Sequence, residues 1–268
     1  MSRIESAFIK GHKALVGYVT AGYPDIKATP CIVTALAESG CDIIELGIPF
    51  SDPLADGATI QKASYTALQN GTTPQVCLEI ARKLSRQISV PLAFMTYYNP
   101  VLNFGLEAFC RSCRSAGISG LIVPDLPPDE GRELETIARR YDLDLIYFLA
   151  PTSTPARISQ VAARANGFIY LVSITGVTGA RKILPPDLES FVKRVREKSG
   201  GTPLCVGFGI STPEQARRVA AFADGVIVGS RFIQLIDKDP TLTTLKTFVA
   251  SLREALDSCE NNREAKSA

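Results

Sequence analysis

A chain of 268 residues is long enough to bury one substantial core, and α/β barrels of roughly 250 residues are a common one-domain solution at that size. Its 29 Lys and Arg against 27 Asp and Glu leave a formal charge of +2, with no long run of either sign, which argues against nucleic acid as the main partner. No apolar stretch reaches the roughly 18 residues of a membrane span and the first residues carry no hydrophobic leader, so the expected compartment is the cytoplasm or an equivalent interior.

In chain order, short β-branched or apolar runs alternate with longer segments of helical period, the pattern of consecutive βα units. Expected strands are 15–20, 42–46, 92–96, 120–123, 145–149, 168–172, 204–208 and 225–228. Expected helices are 27–39, 74–87, 106–116, 129–141, 155–165, 187–198, 213–221 and 241–256, with a polar, frayed tail over 258–268. Thr73, Thr154 and Thr212 each precede a proline, placing a capping hydroxyl ahead of a first-turn Pro. This predicts a single-domain (β/α)8 barrel of the TIM type spanning 1–268; an open doubly wound sheet shares much of the same pattern.

In such a barrel the informative residues follow the strands. The loops at 47–61 and 173–186 exceed the few residues usual for a βα connection, as lids and binding segments often do. Glu45 lies inside the apolar run of Ile43, Ile44 and Leu46, where charge is costly unless it is used or paired with a Lys or Arg of a neighbouring strand. Asp52 and Asp56 follow in PFSDPLADG, a proline-shaped loop, either as further acid–base groups or as solvated turn formers.

Glycine-bearing turns close the last three strands: Gly176 and Gly179, then Gly207 and Gly209, then Gly229 with Ser230, where a short helix begins. Any one is a plain turn taken alone; together at one rim they suit a phosphate. Tyr18, Met95, Tyr97, Phe148, Tyr170 and Phe208 sit in or beside strand ends, as core or as the lining of a pocket for a flat ring. His12 is the only histidine and the seven cysteines are scattered, with Cys110 and Cys113 the one close pair, so no metal site and no histidine triad are expected.

The stretch ELGIPFSDPLADG at 45–57, followed by TIQ at 59–61, resembles the signature of the tryptophan synthase alpha subunit, the indole-3-glycerol-phosphate lyase. The segments MTYYNP (95–100), VPDLPPDE (123–130), APTST (150–154), GVTGAR (176–181), GFGIS (207–211) and DGVIVGS (224–230) are similar to that family in the same order. The resemblance implies that Glu45 is the principal acid and base and Asp56 the second catalytic carboxylate. It further implies phosphate binding at Gly179, Gly209, Gly229 and Ser230, and pocket roles for Tyr170 and Tyr97. Thr178 becomes a loop residue coupled to the second carboxylate, and Asp52 and Asp125 become contacts with a beta subunit. The implied reaction converts indole-3-glycerol phosphate to indole and glyceraldehyde 3-phosphate without a cofactor. The implied assembly is an alpha2beta2 tetramer passing indole to a pyridoxal-phosphate beta subunit, in the cytoplasm or, for a plant-type source, the plastid interior.

Chemically, such a cleavage needs an acid for the ring carbon, a base for the proton of the side-chain hydroxyl and an acceptor at the ring nitrogen. Glu45 is expected to be protonated, and Asp56 more solvated and ionised. Ala58, where many members of the family carry proline, is expected to loosen the loop holding Asp56; Arg231 stands where a small residue is frequent. A phosphosugar isomerase on the same barrel, or an inactive chain that only activates a beta subunit, are the competing readings; the PFSDPLADG loop speaks against the first and the intact carboxylates against the second.

Overall fold

The structure is a computed structural model that describes residues 2–9, 11–172, 184–207 and 209–264, the side chains of 259–264 excepted. Its strands are β1 Ala14–Thr20, β2 Ile43–Gly47, β3 Leu92–Met95, β4 Ile118–Ile122, β5 Asp144–Ile146, β6 Phe148–Leu149, β7 Ile169–Val172, β8 Leu204–Gly207 and β9 Gly225–Val228. All neighbouring pairs are parallel, in the order β5-β4-β3-β2-β1-β9-β8-β7-β6. β5 and β6 are two halves of one stave, the expected strand 145–149 interrupted at Tyr147. The ring closes across the interruption, because the Tyr170 N–H donates to the Tyr147 carbonyl at 3.0 Å. The molecule is therefore a (β/α)8 barrel with a split fifth stave, and the open-sheet alternative is excluded.

The Tyr147 side chain points outward with Leu145 and Leu149, as strand alternation requires. Its hydroxyl donates to Glu135 at 3.0 Å and accepts from Arg164 at 3.1 Å, and the Arg164 guanidinium lies over the ring. Arg164 also binds the Pro128 carbonyl, so this half-buried network anchors the loop after β4.

The helices are α1 Ala28–Glu38, α2 Ala58–Gln69, α3 Pro74–Leu84, α4 Tyr98–Phe104, α5 Leu106–Ser115, α6 Arg132–Arg140, α7 Pro155–Arg164, α8 Leu188–Arg196, α9 Pro213–Ala220, α10 Ser230–Lys238 and α11 Thr243–Glu264. The three threonine caps form as expected: the hydroxyls of Thr73, Thr154 and Thr212 accept the amides of Val76, Arg157 and Gln215. Three features depart from the sequence expectation. α2 begins at Ala58, so the loop after β2 is shorter than 47–61; α4 fills what reads as loop; and α11 runs on to Glu264 in place of a tail frayed from 258. The last follows from 257–264 holding neither Gly nor Pro, with an Arg253–Asp257 pair one turn apart joining the segment to the helix before it. Ala58 is the first helical residue, and the Gln61 amide donates to the Asp56 carbonyl at 2.8 Å, joining the loop to α2.

Each strand buries both faces. Leu15, Ile44, Leu46, Phe94, Leu121, Leu171 and Val206 face the helices, while Val16, Tyr18, Ile43, Ala93, Met95, Ile122, Phe168, Tyr170 and Ile227 fill the interior. Ile4, fully buried among these inner residues, and Phe8, packed on Phe168, close one end of the barrel from below. Among the described residues no helix is long and apolar enough to cross a membrane.

Candidate active site

Strand parity puts Glu45 inside the barrel. Ile43 belongs to the interior cluster and Ile44 and Leu46 to the outer one, so the alternate residue Glu45 points inward. Its side chain is fully buried, and neither carboxylate oxygen has a hydrogen-bond partner among the described residues. The alternative reading, an ion pair with a neighbouring strand, is not met among those residues. Burial alone pushes its pKa up to about 8.

Asp56 arrives from the loop that joins β2 to α2 and is 5% exposed. The expectation that it is solvated is therefore wrong: the loop folds back over the mouth and carries the carboxylate down with it. One oxygen accepts the Tyr97 hydroxyl at 3.1 Å; the other has no partner among the described residues. Burial raises its pKa to about 6, against the lowering effect of the Tyr97 hydrogen bond. The expected ranking survives in weaker form, since Asp56 gives up its proton well before Glu45 does.

Tyr18 and Tyr170 face both carboxylates. Each hydroxyl is held protonated chiefly by burial, and the charges of both Asp56 and Glu45 add to the effect. Two glycines make room for them. A Cβ on Gly47 would sit 2.3 Å from the Tyr18 hydroxyl oxygen, and one on Gly207 2.5 Å from that of Tyr170. Tyr18 shares a hydrogen bond with Thr20 at 3.2 Å, and Phe148 stacks on Tyr170 with centroids 4.5 Å apart. Met95 is buried in the same interior cluster.

The rim opposite the Ile4 plug carries the glycine turns. Gly209, at φ +91°, follows β8, and Gly229 follows the adjacent β9 as the residue before α10. Ser230 opens α10 and is nearly buried, so two turns and a helix N-terminus share one side of the mouth. Gly176, Thr178, Gly179 and Phe208 lie outside the described residues. Asp52 is exposed on the loop after β2, and Asp125 on the loop after β4, where its carboxylate accepts the Tyr98 amide at 2.9 Å. Arg231 turns away from the mouth and lies over the Phe248 ring. No group of three or more His, Cys, Asp or Glu able to hold a metal occurs among the described residues. Sequence reasoning missed Ile60, an α2 side chain that reaches the interior cluster, because its helix was read as loop; the i, i+3, i+4 run of Ile60, Ala63, Ser64 and Ala67 was the available signal.

An eight-stave barrel with two desolvated carboxylates and a glycine-lined rim at one mouth defines the class: a βα-barrel enzyme. Comparison with known proteins narrows it. The family model described as tryptophan synthase alpha chain matches residues 5–264. The tryptophan synthase alpha chain of Dehalococcoides mccartyi is 60% identical over 257 residues, covering 96% of this chain and 100% of that one. That of Geobacter sulfurreducens is 48% identical, covering 96% and 99%. Among solved structures, Mycobacterium tuberculosis tryptophan synthase superposes with a TM-score of 0.88 at 38% identity, covering 95% of this chain and 96% of that one. The Legionella pneumophila alpha subunit gives 0.88 at 35%, covering 96% and 99%. The chain belongs to the tryptophan synthase alpha chain family, lyases that cleave indole-3-glycerol phosphate in tryptophan biosynthesis.

Proposed function

We propose that Glu45 and Asp56 carry this cleavage, the whole chain working as one barrel domain. The supporting observation is Glu45: a carboxyl group with both oxygens unsatisfied by described residues, in an apolar interior, held protonated at neutral pH. Glu45 delivers its proton to the indole ring carbon that bears the glycerol phosphate side chain. The ring becomes an electrophilic indolenine, and Asp56 stabilises the positive charge developing at the ring N–H. The carbon–carbon bond then breaks toward the ring, while Glu45, now a carboxylate, takes the proton of the adjacent side-chain hydroxyl. Indole and glyceraldehyde 3-phosphate leave, and Glu45 is again protonated.

Tyr18, Met95, Tyr97, Phe148 and Tyr170, with Phe208 and Thr178, line the ring's pocket. Gly209, Gly229 and Ser230, with Gly179, hold the phosphate, whose remote binding energy orients the reacting bond. The chain acts in the cytoplasm with a beta subunit that docks over Asp52 and Asp125, in an alpha2beta2 assembly. The test is an indole-release assay on the purified chain, with and without a beta subunit. Asp56→Asn is expected to depress turnover at least a hundredfold while substrate still binds; a variant that loses binding alone demotes Asp56 to a positioning role.

A further inference from the structure

α4 lacks a cap of its own. Its N-cap residue is Tyr97, whose side chain makes no capping bond, and the orphan amide of its first residue, Tyr98, is taken by a carboxylate from another βα loop. That carboxylate is Asp125, with its oxygens 2.9 and 3.2 Å from the Tyr98 nitrogen. A negative group at a helix N-terminus satisfies the exposed N–H and favours the helix dipole, so Asp125 fixes where α4 begins. What it fixes is the backbone of Tyr97. The Tyr97 hydroxyl accepts the Ala55 amide at 2.9 Å and donates to Asp56 at 3.1 Å, clasping the loop that carries this carboxylate.

We infer that Asp125 is a positioning residue for the cleavage, acting on Asp56 through the start of α4 and the Tyr97 hydroxyl. The inference rests on the assignment of Asp56 as a reacting carboxylate. Its rationale is geometric. Asp125 lies on an exposed loop whose other end is anchored by Arg164 at the Pro128 carbonyl and by Arg157 at Asp129, 2.9 Å away. The loop is therefore a fixed post from which the Asp125 carboxylate holds the Tyr98 amide.

The experiment measures indole release by the isolated chain across pH 5 to 9 for Asp125→Ala, Asp125→Asn, Tyr97→Phe and the Asp125→Ala/Tyr97→Phe double variant, with thermal melting to confirm folding. In Asp125→Ala, kcat falls about tenfold with KM within about twofold, since no substrate contact is lost. The acid limb of its kcat profile moves to higher pH, because losing the tyrosine hydrogen bond makes Asp56 harder to ionise. Asp125→Asn, whose amide oxygen still accepts, recovers most of the rate. The double variant is no worse than Tyr97→Phe alone, the signature of two residues on one path. Multiplicative losses in the double variant, or an unmoved acid limb in a folded Asp125→Ala, overturn the inference. If Asp125→Ala does not fold, the decision rests on Asp125→Asn combined with Tyr97→Phe, where any multiplicative loss overturns it. Full activity of Asp56→Asn would instead remove the assignment on which it stands.

Discussion

Replacing Glu45 by Gln is expected to abolish turnover and, at neutral and alkaline pH, to stabilise the fold. Burial moves the Glu45 pKa from an ordinary 4.5 to about 8. At about 1.4 kcal/mol for each tenfold change in proton affinity, that shift corresponds to about 5 kcal/mol. Below pH 4.5 the folded and unfolded chains both hold the proton, and ionisation contributes nothing to the balance. Between 4.5 and 8 the unfolded chain releases the proton while the folded chain keeps it, so stability falls as pH rises. Above 8 both forms are ionised and the full penalty is in place. Gln is neutral throughout and leaves its polar atoms much as unsatisfied as those of the protonated acid, so the two proteins should match within about 1–2 kcal/mol near pH 4.5. The variant should then lead by about 3 kcal/mol at pH 7 and about 5 kcal/mol near pH 8.5. Urea unfolding of both proteins at pH 5, 7 and 8.5 reads this difference, and groups common to both cancel. A stability difference that does not change with pH would show that Glu45 is not buried as a neutral acid, and the acid–base scheme would go with it.

Two further outcomes follow from the same geometry. The kcat/KM of cleavage should be bell-shaped in pH, falling below about 6 as Asp56 takes up a proton and above about 8 as Glu45 loses its own; steady-state indole release from pH 5 to 9 checks it, and a profile without an alkaline limb refutes the role given to Glu45. Gly47→Ala should destabilise the barrel by about 1–3 kcal/mol and slow turnover, because the added methyl meets the Tyr18 hydroxyl at 2.3 Å in a packed interior; partial recovery of the melting temperature in Gly47→Ala/Tyr18→Phe would locate the clash at that hydroxyl.

Much of this architecture is legible before any coordinates. The eight staves follow from runs of apolar residues separated by helical periods, and the Thr-Pro caps mark three helix starts to the residue, because those signals are local. Glu45 stands out for the same reason: an acidic residue between Ile44 and Leu46 is anomalous wherever the strand lies. The sites of error are also local ambiguities. Residues 58–61 read as loop because Gly57 and the prolines before it dominate the pattern, and the Tyr147 interruption leaves no mark in the apolar run 145–149.

What the chain alone decides, then, is where the eight staves and most of the helices lie, and that a carboxylate must be buried in the second strand. Only the tertiary structure decides the electrostatics of the mouth. Asp56 is polar, loop-borne and preceded by Pro49 and Pro53, so its sequence describes a solvated group; it is desolvated because the loop packs over the barrel mouth made by other staves. The Tyr97 hydroxyl on Asp56, the room that Gly47 and Gly207 leave for two tyrosines, and the hold of Asp125 on α4 all join residues far apart in sequence. Desolvation and hydrogen bonding depend on what surrounds a group in space, and for these residues the surroundings come from neighbouring staves that only the fold brings alongside.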